Sequence, residues 1–167
     1  DQIFQEVALQ DLPIVLMLDR AGLTGPDGPT HHGMFDLTYL RPLPNLVVMA
    51  PGDAWDLEAM VKFALAHDHP TAIRYPKATA ETIETEDQRR PIEPGVAEVI
   101  RTGDDGTMVA CGAVLADCLQ AVRQLADDGL DIGVINARFV KPLDETTLLG
   151  AIEHSPWLLT VEEGALM

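Results

Sequence analysis

Between Asp19 and Asp36 the chain reads DRAGLTGPDGPTHHGMFD, a guanidinium, carboxylates and two adjacent imidazoles set among closely spaced glycines. Arg20 is a permanent cation suited to an anionic ligand, and His31 can take or give a proton near neutral pH. Asp27 adds a carboxylate between them in sequence. Gly22, Gly25, Gly28 and Gly33 allow backbone to approach a ligand closely. The stretch is long for a connection in an α/β protein. A solvated surface turn has the same composition, so residue types and spacing alone leave both readings open.

The elements around the loop decide where it sits. PIVLMLD (13–19) is a continuous apolar run that reads as a strand buried on both faces. FDLTYLRPL reads as a short helix ended by Pro42 and Pro44, and NLVVMAP (45–51) as a second buried strand. Asp53 is placed as an N-cap for a helix whose apolar face is Leu57, Met60, Val61, Ala64 and Leu65. TAIRYP (71–76) is a third strand. Strand, crossover, strand, helix, strand is the grammar of a parallel sheet. Its ligand crevice lies at the carboxyl ends of the strands, where the loop leaves the first one. Arg74, Tyr75 and Lys77, at the end of the third strand, share that side.

Residues 77–95 are charged, proline-containing and poor in large apolar side chains, which suits a linker. A second α/β unit follows. GVAEVIRTG and TMVACG read as strands joined in a hairpin by Gly103-Asp104-Asp105-Gly106. Val114, Leu115, Cys118, Leu119, Val122 and Leu125 make one helix face, with Gly129 ending it. DIGVINA is a strand, Asp144 caps a helix bearing Leu148, Leu149 and Ile152, and WLLTVEE is a last strand. The first residues read as the inside of a helix with no initiator methionine, and no helix closes the last strand. Both ends therefore look cut.

With 27 acidic and 11 basic residues the formal charge is −16, which argues against a nucleic-acid or anionic-membrane surface. No apolar run is long enough to span a bilayer, and the N-terminus lacks a basic-then-apolar leader pattern. Cys111 and Cys118 suit buried thiols in a reducing compartment. No CxxC occurs and the histidines are distant, so a metal site is not expected. The Gly103–Gly106 turn lacks the lysine and hydroxyl residue of a phosphate loop, and Asn136 is not placed to complete a thiamine-type diphosphate motif. His67, His69 and His154 sit at helix ends, where a positive charge suits the dipole. Arg138, Lys141 and Asp144 look like a helix entrance. Glu162 and Glu163 look like an exposed pair or an interface contact.

The run from Asp19-Arg20-Ala21-Gly22 through Asp27-Gly28-Pro29-Thr30-His31 to Phe35-Asp36 resembles the 1-deoxy-D-xylulose-5-phosphate synthases of the transketolase superfamily. Tyr39-Leu40-Arg41, Met49-Ala50-Pro51, Ile73-Arg74-Tyr75-Pro76, the segment Asn136 to Asp144 and Val161-Glu162-Glu163 carry the same resemblance, in order and spacing. Transketolase itself differs before the aspartate of the loop, and the β-type subunits of 2-oxo-acid dehydrogenases lack the Arg138–Asp144 run. These dehydrogenase subunits, and a non-catalytic interaction fragment, are the alternative readings.

The resemblance implies an α/β fold with parallel or mostly parallel sheets and flanking helices. Residues 1–78 would be the last part of a pyrimidine-binding domain, 79–94 a linker, and 95–167 a truncated transketolase C-terminal domain. It implies a cytoplasmic, homodimeric transferase that condenses pyruvate with D-glyceraldehyde 3-phosphate, releasing carbon dioxide, for isoprenoid and thiamine or pyridoxal synthesis. Thiamine diphosphate and Mg2+ are the implied cofactors. Arg20 would bind the acceptor's phosphate, Asp27 and His31 would line the donor pocket, and His31 would be catalytic. His32 fills a position that varies. Lys77 stands where the family has arginine followed by glycine, keeping the charge but losing the fork. The cofactor-activating glutamate and the diphosphate–Mg2+ site would lie upstream of Asp1, leaving this chain inactive alone.

Overall fold

The computed structural model describes residues 1–84 and 89–165. A π-helical segment, Ile3–Ala8, precedes β1 (Val15–Leu18), α1 (Asp36–Leu40), β2 (Val47–Met49), α2 (Ala54–Ala66) and β3 (Thr71–Arg74). Then come β4 (Glu98–Arg101), β5 (Gly106–Ala110), α3 (Leu115–Asp127), β6 (Ile132–Asn136), β7 (Phe139–Lys141), α4 (Glu145–His154) and β8 (Leu158–Val161). Residues 85–88 of the expected linker, and 166–167 at the end of the expected C-terminal domain, lie outside the described residues.

The strands form two four-stranded sheets, ordered β1-β3-β2-β7 and β4-β6-β5-β8. In the first, β1 and β2 both run parallel to β3, so the carboxyl ends of three strands open on one side. The fourth strand, β7, comes from the second half of the chain and pairs antiparallel to β2. In the second sheet β5 runs parallel to both β6 and β8, and β4 is the antiparallel edge. The expected mostly parallel architecture with flanking helices is what forms.

The helices sit where their caps and apolar stripes put them. Asp53 accepts a hydrogen bond from Asp56 N–H at 2.9 Å and starts α2. Met60 and Ala64 of α2 pack on Met49, Ile73 and Phe139, with the Phe63 and Phe139 rings edge to face at 6.1 Å. A β7 side chain thus completes the core of the first sheet. Leu115, Cys118 and Val122 of α3 cover Met108, Ala110, Ile132 and Val134 of the second. Gly129, at φ +83°, ends α3 as expected, and Asp144 caps α4 by accepting from Thr147 N–H at 2.9 Å.

Three expectations are corrected. β1 is an edge strand, with Met17 45% exposed, because an apolar run does not report whether both its edges and faces are covered. The segment Gly103 to Gly106 does not close a hairpin: β4 and β5 lie on opposite sides of β6. Turn chemistry favours a reversal but does not choose the pairing partner. Leu65, placed on the apolar face of α2, is exposed.

Candidate functional site

The glycine loop leaves the carboxyl end of β1 beside the exit of β3. Arg20 takes a left-handed backbone, φ +62°, a conformation that costs about 1–3 kcal/mol for a residue with a side chain. The loop holds it there. Gly33 N–H donates to Arg20 O at 2.9 Å, and Ala21 N–H donates to Tyr75 O at 3.0 Å. Gly22 and Gly33 exchange two backbone hydrogen bonds of 3.0 Å. A Cβ on Gly33 would stand 2.4 Å from Arg20 O, so this closure requires glycine. Short 3-10 turns at Gly25–Asp27 and Pro29–His31 shape the rest.

This frame brings Arg20, Asp27 and Lys77 together. Arg20 Nε donates to Asp27 Oδ2 at 2.8 Å, and Lys77 Nζ donates to Asp27 Oδ1 and Oδ2 at 2.9 and 2.8 Å. Arg20 also pairs with Asp19. Lys77 and Arg20 hold the Asp27 carboxyl down at about 2, and Asp27 in turn raises the guanidinium of Arg20. Lys77 is half exposed. The result is an open site with two cations converging on one carboxylate.

His31 does not bond to that trio. Its ring is exposed, and Nδ1 lies 3.0 Å from Thr30 Oγ1, while Nε2 has no hydrogen-bond partner among the described residues. Its neighbour His32 is a brace: Nδ1 accepts from Thr24 N–H at 3.0 Å across the loop. The other histidines have local work. His69 pairs with Asp11, His67 stacks on Phe63 at 4.9 Å, and His154 Nδ1 bonds Gly150 O at 2.7 Å.

Two arginines carry more than their positions in the sequence suggest. Arg74 is 1% exposed, and its Nε donates to Asp36 at 3.0 and 3.1 Å. Arg138 does not mark a helix entrance. It is fully buried at φ +57°, with Nε donating to Asp56 Oδ1 at 3.0 Å and Nη2 2.8 Å from Glu98 Oε2. Arg89 joins the same cluster through Asp53, Asp56 and Glu98, and lies 4.8 Å over the Trp55 ring. Asn136 donates to Asp56 at 2.7 Å, so it belongs to this network. Burial pushes the Asp56 carboxyl up, against Arg138, Asn136 and Arg89, which favour its ionised form. Lys141 lies on β7 and donates to Leu43 O. Glu162 is exposed, whereas Glu163 reaches within 3.8 Å of Arg74. The available signal was a cation at the end of an otherwise apolar strand run, as in TAIR and VINAR, because a buried charge must be paired.

A cleft of about 990 Å³ adjoins the trio. Asp19, Tyr75 and Lys77 line one side and Ala113, Ala116 and Gln120 of the α3 region the other, with residues 78–84 along its margin. That margin is fastened down: Glu81 O accepts from Ala54 N–H at 2.8 Å, and Ile83 N–H donates to Asp53 Oδ2 at 2.9 Å. Among the described residues, no group of three or more His, Cys, Asp or Glu is placed to hold a metal ion. No helix among them is long and apolar enough to cross a membrane. Burial pushes the Cys111 thiol up to about 12, away from its thiolate form.

Residues 1–82 match the family model described as "Transketolase, pyrimidine binding domain", and residues 95–167 the one described as "Transketolase, C-terminal domain". A protein of Rhodopirellula baltica named 1-deoxy-D-xylulose-5-phosphate synthase is 56% identical over 98% of this chain and 25% of its own length. One of Geobacter sulfurreducens, 1-deoxy-D-xylulose-5-phosphate synthase 1, is 47% identical over 99% of this chain and 26% of its own. The chain thus spans about a quarter of the length of these relatives. Among solved structures, "Split gene transketolase, inactive beta4 tetramer" aligns with a TM-score of 0.85 at 29% identity, over 98% of this chain and 52% of that one. A transketolase mutant from Pichia stipitis aligns at 0.77 and 24% identity, over 93% of this chain and 24% of that one, and shows the fold.

Proposed function

The chain belongs to the transketolase family, and from that premise we propose that it is a segment of a 1-deoxy-D-xylulose-5-phosphate synthase. In this reading the whole enzyme joins pyruvate to D-glyceraldehyde 3-phosphate with loss of carbon dioxide. This segment supplies the groups that hold the phosphorylated acceptor and line the pocket beside it. The observation that carries the reading is the convergence of Arg20 and Lys77 on a single carboxylate at the carboxyl ends of parallel strands β1 and β3. Relatives bearing the synthase name, matched along nearly the whole chain, favour it over the dehydrogenase β-type subunit.

Arg20 and Lys77 receive the acceptor's phosphate. The guanidinium offers a planar pair of donors that orients as well as attracts, and the ammonium adds charge without orientation. Asp27 competes with the incoming phosphate for both cations, then accepts hydrogen bonds from substrate hydroxyls. His31, with Nε2 unpartnered among the described residues, exchanges protons with the reacting oxygen atoms. In this reading thiamine diphosphate and Mg2+ are bound mainly by regions outside this chain. Assembly as a homodimer and a cytoplasmic setting belong to the same reading.

The test uses the full-length enzyme. His31→Ala should cut turnover sharply, while Arg20→Ala should mainly raise the KM for the phosphorylated aldehyde. Near-normal kinetics in both variants would overturn the assignment.

A further inference from the structure

Arg74 takes no part in the chemistry proposed above, yet it is the most thoroughly partnered cation beside the loop. A buried guanidinium costs several kcal/mol unless its donors are matched, so its partners report what it is there to hold. Nε binds Asp36 at the start of α1. Nη2 donates both to Gly33 O at 2.9 Å and to Glu163 O at 2.7 Å. One planar group therefore grips the closing residue of the loop, the helix that follows it, and the exit of β8 in the second half of the chain.

Two further contacts tie the same segments. Ala165 N–H donates to Met34 O at 3.1 Å. Gly22, at φ +70°, packs against Glu163 so closely that an added Cβ would stand 3.0 Å from its Cβ and Oε1. Glu163 Oε2 is enclosed without a hydrogen-bond partner among the described residues, 3.8 Å from Arg74 Nη1. Gly33, held by Arg74, is the residue whose N–H fixes the Arg20 carbonyl.

We propose that Arg74 is a positioning residue: it sets the stance of Arg20, Asp27 and His31 by clamping the glycine loop to residues 163–165 of the second half. The loop's geometry is thereby made dependent on a segment remote in sequence. This rests on the proposed function, because the consequence is read in that reaction. A lysine could satisfy Asp36 but could not also reach two carbonyls lying in different directions.

The experiment compares the full-length enzyme with Arg74→Lys, His31→Ala and the double variant. Arg74→Lys should lower kcat on the order of tenfold or more, since small misplacements of catalytic groups carry losses of that size. Its thiamine diphosphate affinity should stay close to that of the parent, and its Tm should fall by no more than the unmatched carbonyls cost. The loss should largely disappear in the His31→Ala background, because a misplaced loop costs little once the group it places is gone. If Arg74→Lys does not fold, Gly22→Ala disturbs the same contact with Glu163 and leaves every charge in place, and the same losses are expected. Unchanged kcat, or losses that multiply fully in the double variant, would sink the clamp and leave a merely stabilising arginine. Reduced turnover in His31→Ala with normal turnover in Arg74→Lys overturns this inference alone. Normal turnover in His31→Ala together with a normal KM in Arg20→Ala overturns the functional reading and this inference with it.

Discussion

Asp27 and Lys77 stand fifty residues apart in sequence, yet Lys77 Nζ donates to both oxygens of the Asp27 carboxylate, at 2.9 and 2.8 Å. The same carboxylate accepts from Arg20 Nε at 2.8 Å. The two cations assigned to the acceptor's phosphate are thus already matched to an anion of the protein. A ligand must offer more charge or better geometry than Asp27 to displace it, and a phosphate offers both.

The lysine is the adjustable member of this trio. Lys77→Ala in the full-length enzyme should raise the KM for the phosphorylated aldehyde by roughly ten- to a hundredfold, the equivalent of one charge-assisted hydrogen bond. Lys77→Arg should lower it severalfold by adding a fork. Steady-state kinetics at saturating pyruvate check both, and an unchanged KM in Lys77→Ala removes the lysine from the phosphate site.

Asp27 predicts an acid dependence with a definite sign. Its folded carboxyl is depressed from the ordinary value to about 2, first by Lys77 and then by Arg20. The stabilisation it contributes is present above the unfolded carboxylate range and fades as pH falls from about 4 toward about 2. Thermal melts of the parent and of Asp27→Asn should therefore differ most near neutrality and converge in acid. A gap that stays constant down to pH 2 contradicts the pairing. High salt should narrow the gap as well, because the trio is open to solvent.

Arg138 should be among the most costly side chains to remove. Its loss leaves Asp56, fully buried, short of a partner, and breaking such a pair costs about 3–5 kcal/mol. Arg138→Ala should lower denaturation midpoints accordingly, and Arg138→Met, which refills the volume beside Trp55, should lose less if Asp56→Asn accompanies it. Equal stability of Arg138→Ala and parent would show that the network carries no net energy.

Gly33→Ala should separate loop geometry from global stability. The methyl would meet Arg20 O, so the loop must open, while the sheets beneath have no reason to change. Turnover should fall strongly with only a small shift in Tm. A large loss of stability would mean that the loop supports the fold as well as the site.

The legibility of this chain varied with the range of the forces involved. Caps at Asp53 and Asp144 and the helix end at Gly129 were readable because each is settled within a few residues. The parallel arrangement of β1, β2 and β3 followed from crossovers that must bury apolar runs. Arg20, Asp27 and His31 stood out as cation, carboxylate and imidazole in one glycine loop, and the resemblance assigned roles to them and to Lys77. Edge position was less readable: Val15–Leu18 has the composition of a central strand, and only the neighbours in space expose Met17. The Gly103–Gly106 turn was mispaired for the same reason, since its sequence says nothing of β6.

By itself the sequence determined the secondary elements other than β7, which was read as a helix entrance, the side of the first sheet on which the glycine loop lies, and the family whose motifs it carries. Those follow from local backbone preference, apolar periodicity and residue order, all of which are written along one dimension. Only the tertiary structure decided that β7 completes the first sheet, that Arg138 is buried against Asp56 and Glu98, and that Arg74 fastens the loop to Glu163. Each of those joins residues far apart in the chain, where desolvation forces every buried charge to find a partner that folding, and not proximity in sequence, supplies.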